Sequence, residues 1–485
     1  MSSITARVRY QIGDVLAGPL GVNRPGMETK KKILVFVDFD VVVRHFLKNN
    51  TFRELADQND VVYVFNNDTT SAKKGVTINV AELGLPRVVF TSVPRKRTGL
   101  WYFLYTAAVL RQQRGSPNFV ARHRQLVDVL GAWRVRVLEL LGLPGLYNLF
   151  RWAFIHLMGV ELSVQSVIEA EKPDLILHPS ILTGYYVNEL LIETKRHGIP
   201  LVLLMNSWDN PSAKAVCTGF PDQLVVWGEQ SKRQAIQYMR MPPDRIKCFG
   251  AAQFQVYRDP PPESQAELRK MFGVPAGKKI LLYAGAGNGR HETHYLRLLE
   301  NGIEDGTFPD CHVIYRPHPW RGGLAVGEDD FFSIAWRHIT MDPFMADYYR
   351  RETKSPSGII FMADYRIANK LLTLVDAVIS PLSTMLIEAL VKGKPVLAFF
   401  PEREHGVVFG IDEVHFADFL KMPDVNVCLE EREFHPACRR LVGQIGDPAL
   451  ATRLRESAEF FVVMDGPTYG ERLRDLVGDM IGARA

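Results

Sequence analysis

The chain has 485 residues, and its hydrophobic and charged fractions, 47% and 23%, are ordinary for a globular protein. They exclude collagen-like, low-complexity and wholly disordered chains. The formal net charge of +4 is close to balance, so the protein as a whole is not expected to bind nucleic acid through the phosphate backbone.

The five cysteines lie far apart in the sequence and form no C-x-x-C pair. They are Cys217, Cys248, Cys311, Cys428 and Cys438. This spacing argues against a disulfide framework and a cysteine-based zinc site, and it favours a reducing compartment, the cytoplasm. The sequence shows neither a secretory signal nor an apolar run of about 18 residues, so no transmembrane helix is expected.

Short apolar runs rich in Val, Ile and Leu recur along the chain, and longer segments with helical periodicity separate most of them. In the first half the runs are ILVFV (33–37), VVYVF (61–65), LILH (175–178), LVLLM (201–205) and QLVVW (223–227). In the second half they are KILLY (279–283), HVIYR (312–316), GIIFM (358–362), AVIS (377–380) and PVLAFF (395–400). Such runs are typical of strands buried on both faces of a parallel sheet. The alternation predicts an α/β protein with doubly wound, Rossmann-like sheets.

Three successive prolines within residues 259–263 separate the two series of strands. Because they cannot continue a helix or a central strand, this segment is the predicted linker. The sequence therefore predicts an N-terminal α/β domain over residues 1–256 and a C-terminal α/β domain over residues 264–450. A last helical segment, residues 451–485, is expected to cross back to the first domain.

Residues 95–164 interrupt the first series with a basic, aromatic-rich segment. Between Arg95 and Arg136 there are nine Lys and Arg residues against one acid, Asp128. Cationic helices of this kind can lie in the headgroup layer of an anionic membrane. The alternative is a helical insertion whose apolar face covers the sheet and whose arginines are solvated.

The first candidate ligand loop follows the strand KILLY, where Gly285, Gly287 and Gly289 precede a helix expected to open near Arg290. Such a turn can direct backbone N–H groups towards an anion at a helix N-terminus. A plain glycine-rich turn is the alternative. The G-x-G-x-G spacing differs from the dinucleotide fingerprint, so no nicotinamide or flavin cofactor is expected. The H-E-T-H text at 291–294 lacks the H-E-x-x-H spacing, so no metal site is predicted.

The second candidate loop follows the strand HVIYR and reads R-P-H-P at residues 316–319. The two prolines hold the backbone of His318 extended and stiff, which fixes the direction of its imidazole. A histidine beside Arg316 suits a diphosphate or a departing nucleotide. The alternative is a proline-rich strand exit whose histidine packs on a neighbour.

The third candidate loop follows the strand AVIS and leads into a predicted helix. Ser383 and Thr384 stand at the helix start, where free N–H groups and hydroxyls can hold phosphate. Glu388 lies one turn further along the same face as Thr384, where a carboxylate can accept hydrogen bonds from a ribose diol. In the alternative, Ser383 is an N-cap and Glu388 is a surface charge.

The second half resembles the donor-binding domain of the GT-B glycosyltransferases, and among them the group of CDP-glycerol glycerophosphotransferases and capsule polysaccharide transferases. The resemblance rests on R-P-H-P at 316–319 and on S-P-L-S-T-x-x-x-E-A-L-x-x-G-K-P-V at 380–396. It implies two Rossmann-like domains that face each other across a cleft, with the nucleotide held mainly by the second domain.

The same resemblance assigns roles to individual residues. It implies that His318 contacts the donor diphosphate and that Ser383 and Thr384 contact its phosphates. Glu388 would contact the ribose.

A further match lies in the first half, where S-W-D-N-P-S-A-K follows the strand LVLLM. It is similar to an S-W-D-N…K segment of uncharacterised members of the same broad group. Asp209 is a candidate general base for an acceptor hydroxyl, and Lys214 is a candidate contact for donor phosphate. The alternative is an ordinary Asx turn at Asp209. Asp38 and Asp40, after the strand ILVFV, are rival bases, and His45 is a weaker one.

These features together predict a metal-independent enzyme without a cofactor. It would move a sugar from a nucleotide-sugar donor to a hydroxyl of a cell-envelope saccharide or lipid-linked acceptor. Its basic insertion would bring it to the inner face of the cytoplasmic membrane. The alternatives are a polyol-phosphate transferase of CDP-glycerol type, a non-catalytic nucleotide-binding or scaffold protein, and a UDP-sugar 2-epimerase. The epimerase alternative would require a T-E-R-P-E-like segment after the last donor-domain helix. This segment is absent, and residues 400–405 are the nearest sequence to it.

Overall fold

The computed structural model describes residues 30–67, 79–116, 118–285, 292–318, 331–354, 364–400 and 414–483. Contacts within the chain divide it into two compact units. The first comprises Met1–Val226, Ser231–Ala252 and Pro467–Ala485, and the second comprises Trp227–Gln230 and Gln253–Gly466. The proline-rich segment 259–263 thus falls within the second unit, and the last helix of the chain is grouped with the first.

The first unit is built on a parallel sheet of seven described strands. They are β1 (Lys32–Val37), β2 (Asp60–Asn66), β3 (Val88–Thr91), β4 (Leu175–His178), β5 (Leu201–Leu204), β6 (Gln223–Val226) and β7 (Ile246–Cys248). Their order is β3-β2-β1-β4-β5-β6-β7, and every neighbouring pair is parallel. The first six follow the Rossmann order, in which the chain builds from the centre to one edge and then from the centre to the other.

The second unit repeats this order in a parallel sheet of six described strands. They are β8 (Lys279–Ala284), β9 (Cys311–Arg316), β10 (Ile339–Met341), β11 (Ala377–Pro381), β12 (Val396–Phe399) and β13 (Asn426–Cys428). Their order is β10-β9-β8-β11-β12-β13, which counted from the first strand of the sheet is again the Rossmann order. The prediction of two Rossmann-like α/β domains is confirmed, while the cleft expected between them stays a prediction.

Helices connect most of the strands. Up to β7 they are α1 (Asp40–Val42), α2 (Arg53–Gln58), α3 (Arg95–Gln112), α4 (Phe119–Leu130), α5 (Ala132–Leu141), α6 (Leu146–Met158), α7 (Leu162–Glu171), α8 (Val187–His197) and α9 (Glu229–Met239). After β7 they are α10 (Gln265–Phe272), α11 (Glu292–Glu304), α12 (Pro343–Lys354), α13 (Tyr365–Leu374), α14 (Thr384–Val391), α15 (Phe434–Gly443), α16 (Pro448–Ala458) and α17 (Tyr469–Gly482). π-helical turns cover Val43–Leu47 and Asn210–Lys214. Short 3-10 helices cover Val80–Leu83, Pro243–Arg245, Ala252–Tyr257, Phe331–Ser333, Val414–Phe416, Phe419–Lys421 and Glu431–Glu433.

The central strands are apolar because both of their faces are covered. In β1, for example, all residues from Ile33 to Val37 are buried. The apolar pattern did not predict β3, β7, β10 and β13, each of which lies at a sheet edge and has only three or four residues. An edge strand has a neighbour on one side only and tolerates exposed polar residues, as Lys247 of β7 shows. The predicted strand 358–362 lies outside the described residues.

The segment 95–164 folds as α3, α4, α5, α6 and the start of α7. The inner sides of these helices form an apolar cluster that also includes Val216, which lies beyond β5. Among its members are Trp101, Leu104, Tyr105, Leu126, Val135, Leu138 and Tyr147. The insertion therefore has an apolar core of its own.

Arg97 of α3 fastens the insertion to α8. Its guanidinium donates to both carboxylate oxygens of Glu189, at 2.6 and 2.9 Å. It also donates to the carbonyl oxygens of Met158 and Gly159, both at 2.8 Å, where α6 ends. Because Glu189 is buried, the removal of Arg97 would leave its carboxylate inside the protein without the cation that pairs with it.

The last helix, α17, packs on the core of the first unit. It begins with a capping box in which the side chain of Thr468 accepts from the N–H of Glu471 and the Glu471 carboxylate accepts from the N–H of Thr468. Tyr469 and Leu473 join the core cluster around β1 and β2. A Cβ atom on Gly470 would lie 2.2 Å from the carboxylate of Glu54, so glycine lets α17 approach α2 closely.

Within the described ranges, no single helix is long and apolar enough to cross a membrane. The pair α6 and α7 meets the length and composition criteria together, with a bend of 81° between the two helices. Over the same residues, no group of three or more His, Cys, Asp or Glu side chains could hold a metal ion.

Candidate functional site

The candidate loops of the second unit meet at one edge of its sheet. Gly285 follows β8, Arg316 ends β9, and Ser383 follows β11, so in a parallel sheet all three lie at the carboxyl edge. In sheets of this order, ligands bind at that edge where the order reverses, which is here between β8 and β11. Neighbouring strands are about 4.8 Å apart, so β9 and β11 lie about 10 Å apart on either side of β8. Gly287 and Arg290 lie outside the described residues.

Two hydrogen bonds tie these loops together. The hydroxyl of Ser380 donates to the carbonyl oxygen of Ala284 at 2.8 Å, which joins the end of β11 to the end of β8. The N–H of Gly285 donates to the carbonyl oxygen of Arg316 at 2.9 Å, which joins the end of β8 to the end of β9. The sheet therefore fixes the relative positions of the three strand exits.

Ser383 is the N-cap residue of α14, with an extended backbone (φ −147°, ψ 161°), but its side chain makes no capping hydrogen bond. Its hydroxyl lies 2.8 Å from that of Ser380 instead. Thr384 is the first helical residue and is half-buried. The positive end of the α14 dipole, with its first N–H groups, therefore faces the carboxyl edge without a side-chain cap from Ser383, which is the arrangement that suits an anion.

Glu388 is buried, with 6% of its surface exposed, and is not the surface charge of the alternative interpretation. Its carboxylate accepts a hydrogen bond from the hydroxyl of Tyr257. Burial raises the pKa of Tyr257 well above its ordinary value, and the adjacent Glu388 raises it further. Tyr257 was not among the predicted site residues, because nothing in the neighbouring sequence distinguishes it from a core aromatic.

Arg316 is paired inside the second unit with Asp342, and both side chains are buried. Its positive charge is therefore already balanced, so Arg316 is less available to bind a donor phosphate. Asp342 directly follows β10, one of the edge strands that the apolar pattern did not predict, so Asp342 was not among the predicted site residues. His318 is half-buried and stands two residues beyond β9.

A buried carboxylate from the H-E-T-H segment lies against Gly285. Glu292, the first residue of α11, is 2% exposed and accepts a hydrogen bond of 2.6 Å from the hydroxyl of Tyr315. A Cβ atom on Gly285 would lie 2.6 Å from this carboxylate. Glycine at position 285 is therefore required by the packing against Glu292, in addition to being part of the glycine-rich loop.

In the first unit the order reverses between β1 and β4, and there the structure places Asp38 beside His178. The Nδ1 atom of His178 lies 2.9 Å from the carbonyl oxygen of Phe36, which can only accept, so Nδ1 carries a proton. The Nε2 atom faces Asp38 Oδ2 at 3.4 Å, and both side chains are fully buried. A favourable contact between these two atoms needs a proton on one of them. A Cβ atom on Gly184 would lie 2.0 Å from Asp38 Oδ2, so the backbone of Gly184 covers the carboxylate.

The other candidate base, Asp209, is paired with the predicted phosphate contact, Lys214. The ammonium nitrogen lies 2.5 Å from Asp209 Oδ2, and the hydroxyl of Ser207 donates to Oδ1 at 2.7 Å. The Asp209 side chain keeps 13% of its surface exposed, and that of Lys214 keeps 53%. Unlike Asp38, the carboxylate of Asp209 is therefore in contact with solvent.

The two remaining candidates lie just beyond β1. Asp40 begins α1. His45 is buried, and its Nδ1 atom lies 2.9 Å from the carbonyl oxygen of Asn206. Burial, together with the neighbouring Arg44, lowers the pKa of His45 to about 3, which makes it a poor proton acceptor at neutral pH.

These observations define a protein of two Rossmann-like domains with candidate polar sites at the points where their strand orders reverse. No family model matches the chain, and no curated protein matches its sequence. Solved structures resemble it over most of its length. The glycotransferase of kitacinnamycin is 14% identical, with 94% of this chain and 100% of that chain covered and a TM-score of 0.48.

Two further similar structures are named as enzymes of different kinds. A UDP-N-acetylglucosamine 2-epimerase is 12% identical, with 94% of this chain and 97% of that chain covered and a TM-score of 0.47. The wall teichoic acid polymerase TagF is 12% identical, with 94% of this chain and 90% of that chain covered and a TM-score of 0.45. The similar structures thus include transferases and an epimerase, and by themselves they assign no reaction to this chain.

Proposed function

We propose that the second unit binds a nucleotide-sugar donor at the carboxyl edge of its sheet. In this proposal the protein transfers the sugar to a hydroxyl of a cell-envelope saccharide or lipid-linked acceptor, as a GT-B glycosyltransferase does. The observation that carries the proposal is the meeting of three strand exits at this edge, with Gly285, His318 and the start of α14 as neighbours.

Each group at this edge matches one part of a nucleotide diphosphate. The N-terminus of α14 suits the phosphates, because its N–H groups and its dipole both favour negative charge. His318, held between two prolines, would stabilise the charge that grows on the leaving nucleotide. The buried carboxylate of Glu388 would accept hydrogen bonds from the ribose, in an orientation fixed by Tyr257. The reaction would then proceed by positioning and charge stabilisation, without a metal ion.

The first unit would supply the base that deprotonates the acceptor hydroxyl. Asp209 is the better candidate, because its carboxylate reaches solvent whereas that of Asp38 is fully buried. Lys214 pairs with this carboxylate in the resting protein. The proposed compartment is the cytoplasm, where the free cysteines would remain reduced.

The proposal is tested by calorimetric titration of the purified chain with UDP, CDP, GDP and TDP, followed by transfer assays with sugars on the base that binds. One nucleoside diphosphate is expected to bind, and His318→Ala is expected to weaken its binding and to lower transfer. The matched control is His338→Ala, since His338 is similarly half-buried but precedes β10 and so lies at the amino edge of the same sheet. Equal losses in the two variants would contradict the site.

The same assays separate the alternatives. Transfer from CDP-glycerol but not from a nucleotide sugar would identify a polyol-phosphate transferase. Formation of a 2-epimer without any acceptor would identify an epimerase. Binding of a nucleotide with no product under any condition would favour a non-catalytic binding protein.

A further inference from the structure

We propose that the outward face of α5 and α6 docks on the surface of an anionic lipid bilayer. This face consists of Trp133, Val137, Leu140, Leu146, Leu149 and Trp152. The proposal is independent of the reaction proposed above, because it depends on a different part of the chain and its test needs no nucleotide.

Exposed apolar side chains are concentrated in the insertion. Of the fifteen large hydrophobic side chains that are exposed among the described residues, twelve lie between Leu100 and Leu162. The other three, Ile236, Phe344 and Leu429, are scattered through the rest of the chain. Single exposed apolar residues are normal on any protein, but a concentration of them marks an interaction surface.

Helical geometry shows that α5 has two apolar sides. With 3.6 residues per turn, Val135 and Leu138 fall on one side of the helix, and Trp133, Val137 and Leu140 fall on the opposite side. The first pair is buried in the cluster formed with α3. The second group is exposed, by 67%, 44% and 61%. An ordinary surface helix would carry polar residues there.

The next helix repeats the pattern. Tyr147, Phe150 and Phe154 of α6 turn towards the same buried cluster, and the ring of Phe154 lies 5.5 Å from that of Trp101 in α3. Leu149 and Trp152 lie on the other side of α6 and are 62% and 58% exposed. Both helices therefore pack inward on one cluster and present apolar side chains away from it.

The charges around this face decide what kind of partner it fits. Arg134 and Arg136 flank the apolar side of α5, one on each side, and the guanidinium of Arg134 lies 5.4 Å from the centre of the Trp133 ring. Further exposed cations of α3 and α4 and of the loop between them are Arg95, Lys96, Arg114 and Arg124. Over α3–α6 the acids are Asp128 and Glu139, and Glu139 already contacts His123 at 3.1 Å.

An apolar face bordered by Arg134 and Arg136, in a segment with few acids, suits anionic headgroups above an acyl region. Two copies of this chain would instead bring like charges together, which disfavours the same face as a dimer interface. Trp133 and Trp152 also fit the headgroup level, where tryptophan places its apolar rings below a polar N–H.

The experiment measures co-sedimentation of the full chain with vesicles of phosphatidylcholine alone and of phosphatidylcholine mixed with phosphatidylglycerol. The chain is expected to bind the mixed vesicles more strongly, and the difference is expected to shrink at high salt. Leu149→Ser should weaken binding to the mixed vesicles about tenfold, because one leucine side chain no longer leaves water. The double variant Arg134→Gln, Arg136→Gln should weaken it by on the order of tenfold at low salt, with little effect on neutral vesicles.

The matched control is Leu429→Ser, which removes a leucine of similar exposure, 52%, outside the insertion. It should bind vesicles as the unchanged chain does. Circular dichroism confirms that each variant is folded, which is expected because all the replaced side chains are exposed. Binding should also shift the tryptophan emission of the unchanged chain to shorter wavelength, and a variant with Trp133→Phe and Trp152→Phe should lose that shift.

Three results would overturn the proposal. The first is no binding of the unchanged chain to the mixed vesicles at low salt. The second is equal loss of binding in Leu149→Ser and Leu429→Ser. The third is a dimer in light scattering that Leu149→Ser dissociates, together with no vesicle binding, which would assign the face to a second copy.

Discussion

The contact between Tyr257 and Glu388 gives the sharpest test of the candidate site. Tyr257→Phe removes only the hydroxyl that donates to Glu388, a carboxylate with 6% of its surface exposed. A hydrogen bond to a charged group contributes about 1.5–3 kcal/mol, and a buried acceptor left without its donor costs a similar amount. We expect the free energy of unfolding of Tyr257→Phe to fall by about 2 kcal/mol, measured by urea denaturation.

The same variant should also lose nucleotide affinity. If Tyr257 holds the carboxylate in the orientation that the ribose needs, its removal should weaken binding of the nucleoside diphosphate by about tenfold. Glu388→Gln, which loses charge-assisted hydrogen bonds to the ribose itself, should weaken binding by about 10- to 100-fold. Calorimetric titration measures both.

Glu300→Gln is the matched control for these variants. Glu300 is a buried glutamate of the same unit, 8% exposed, whose carboxylate accepts from the backbone N–H of Arg337 at 2.6 Å. Because Arg337 lies just before β10, this contact is at the amino edge of the sheet, away from the candidate site. Glu300→Gln should lower stability and leave nucleotide affinity unchanged. Equal nucleotide affinity in Glu388→Gln and Glu300→Gln would refute the role of Glu388 in binding.

Two further predictions follow from buried contacts. Gly285→Ala should lower stability by about 1–3 kcal/mol, because its Cβ would lie 2.6 Å from the Glu292 carboxylate. Gly99→Ala in α3 is the control, because the new methyl group would have open space around it, and it should be neutral or stabilising. Equal denaturation midpoints of Gly285→Ala and the unchanged chain would contradict the close packing of residue 285 against Glu292. His45 has a folded-state pKa of about 3 against an ordinary 6.5, so the unfolded chain takes up its proton first as pH falls from about 6.5 towards 3. Stability should therefore fall over this range by up to roughly 1.4 kcal/mol per pH unit, and His45→Gln should show a smaller fall in urea titrations at pH 7 and pH 5.

The central part of each sheet could be predicted from the sequence, and the edges could not. A strand with neighbours on both sides must be apolar throughout, so its text is continuous, as in β1 and β8. The edge strands β3, β7, β10 and β13 have a neighbouring strand on one side only, and they are too short to produce a recognisable apolar pattern. Their absence from the prediction left the residues after them, such as Asp342, without a structural context.

The candidate site was predictable in its loops but not in its partners. Glycines after β8, prolines around His318 and hydroxyls before α14 are local signals, because each reports the backbone at its own position. Tyr257 comes from a segment 131 residues before Glu388, and no spacing rule connects the two. The pairing of Asp209 with Lys214 is likewise a side-chain contact that the text of the turn does not specify.

The contacts of Arg97 with Glu189 and with the end of α6 determine how rigidly the insertion is held. Because this guanidinium holds the end of α6 to a buried carboxylate of α8, the loop after α6 cannot move independently of the domain behind it. Side chains mounted on such a support are preorganised, so the conformational entropy of ordering them is lost during folding and not again on association. A binding partner would then meet a rigid surface whose orientation is set by the first domain. Weakening the contact between Arg97 and Glu189 should make that orientation variable without changing any outward-facing side chain.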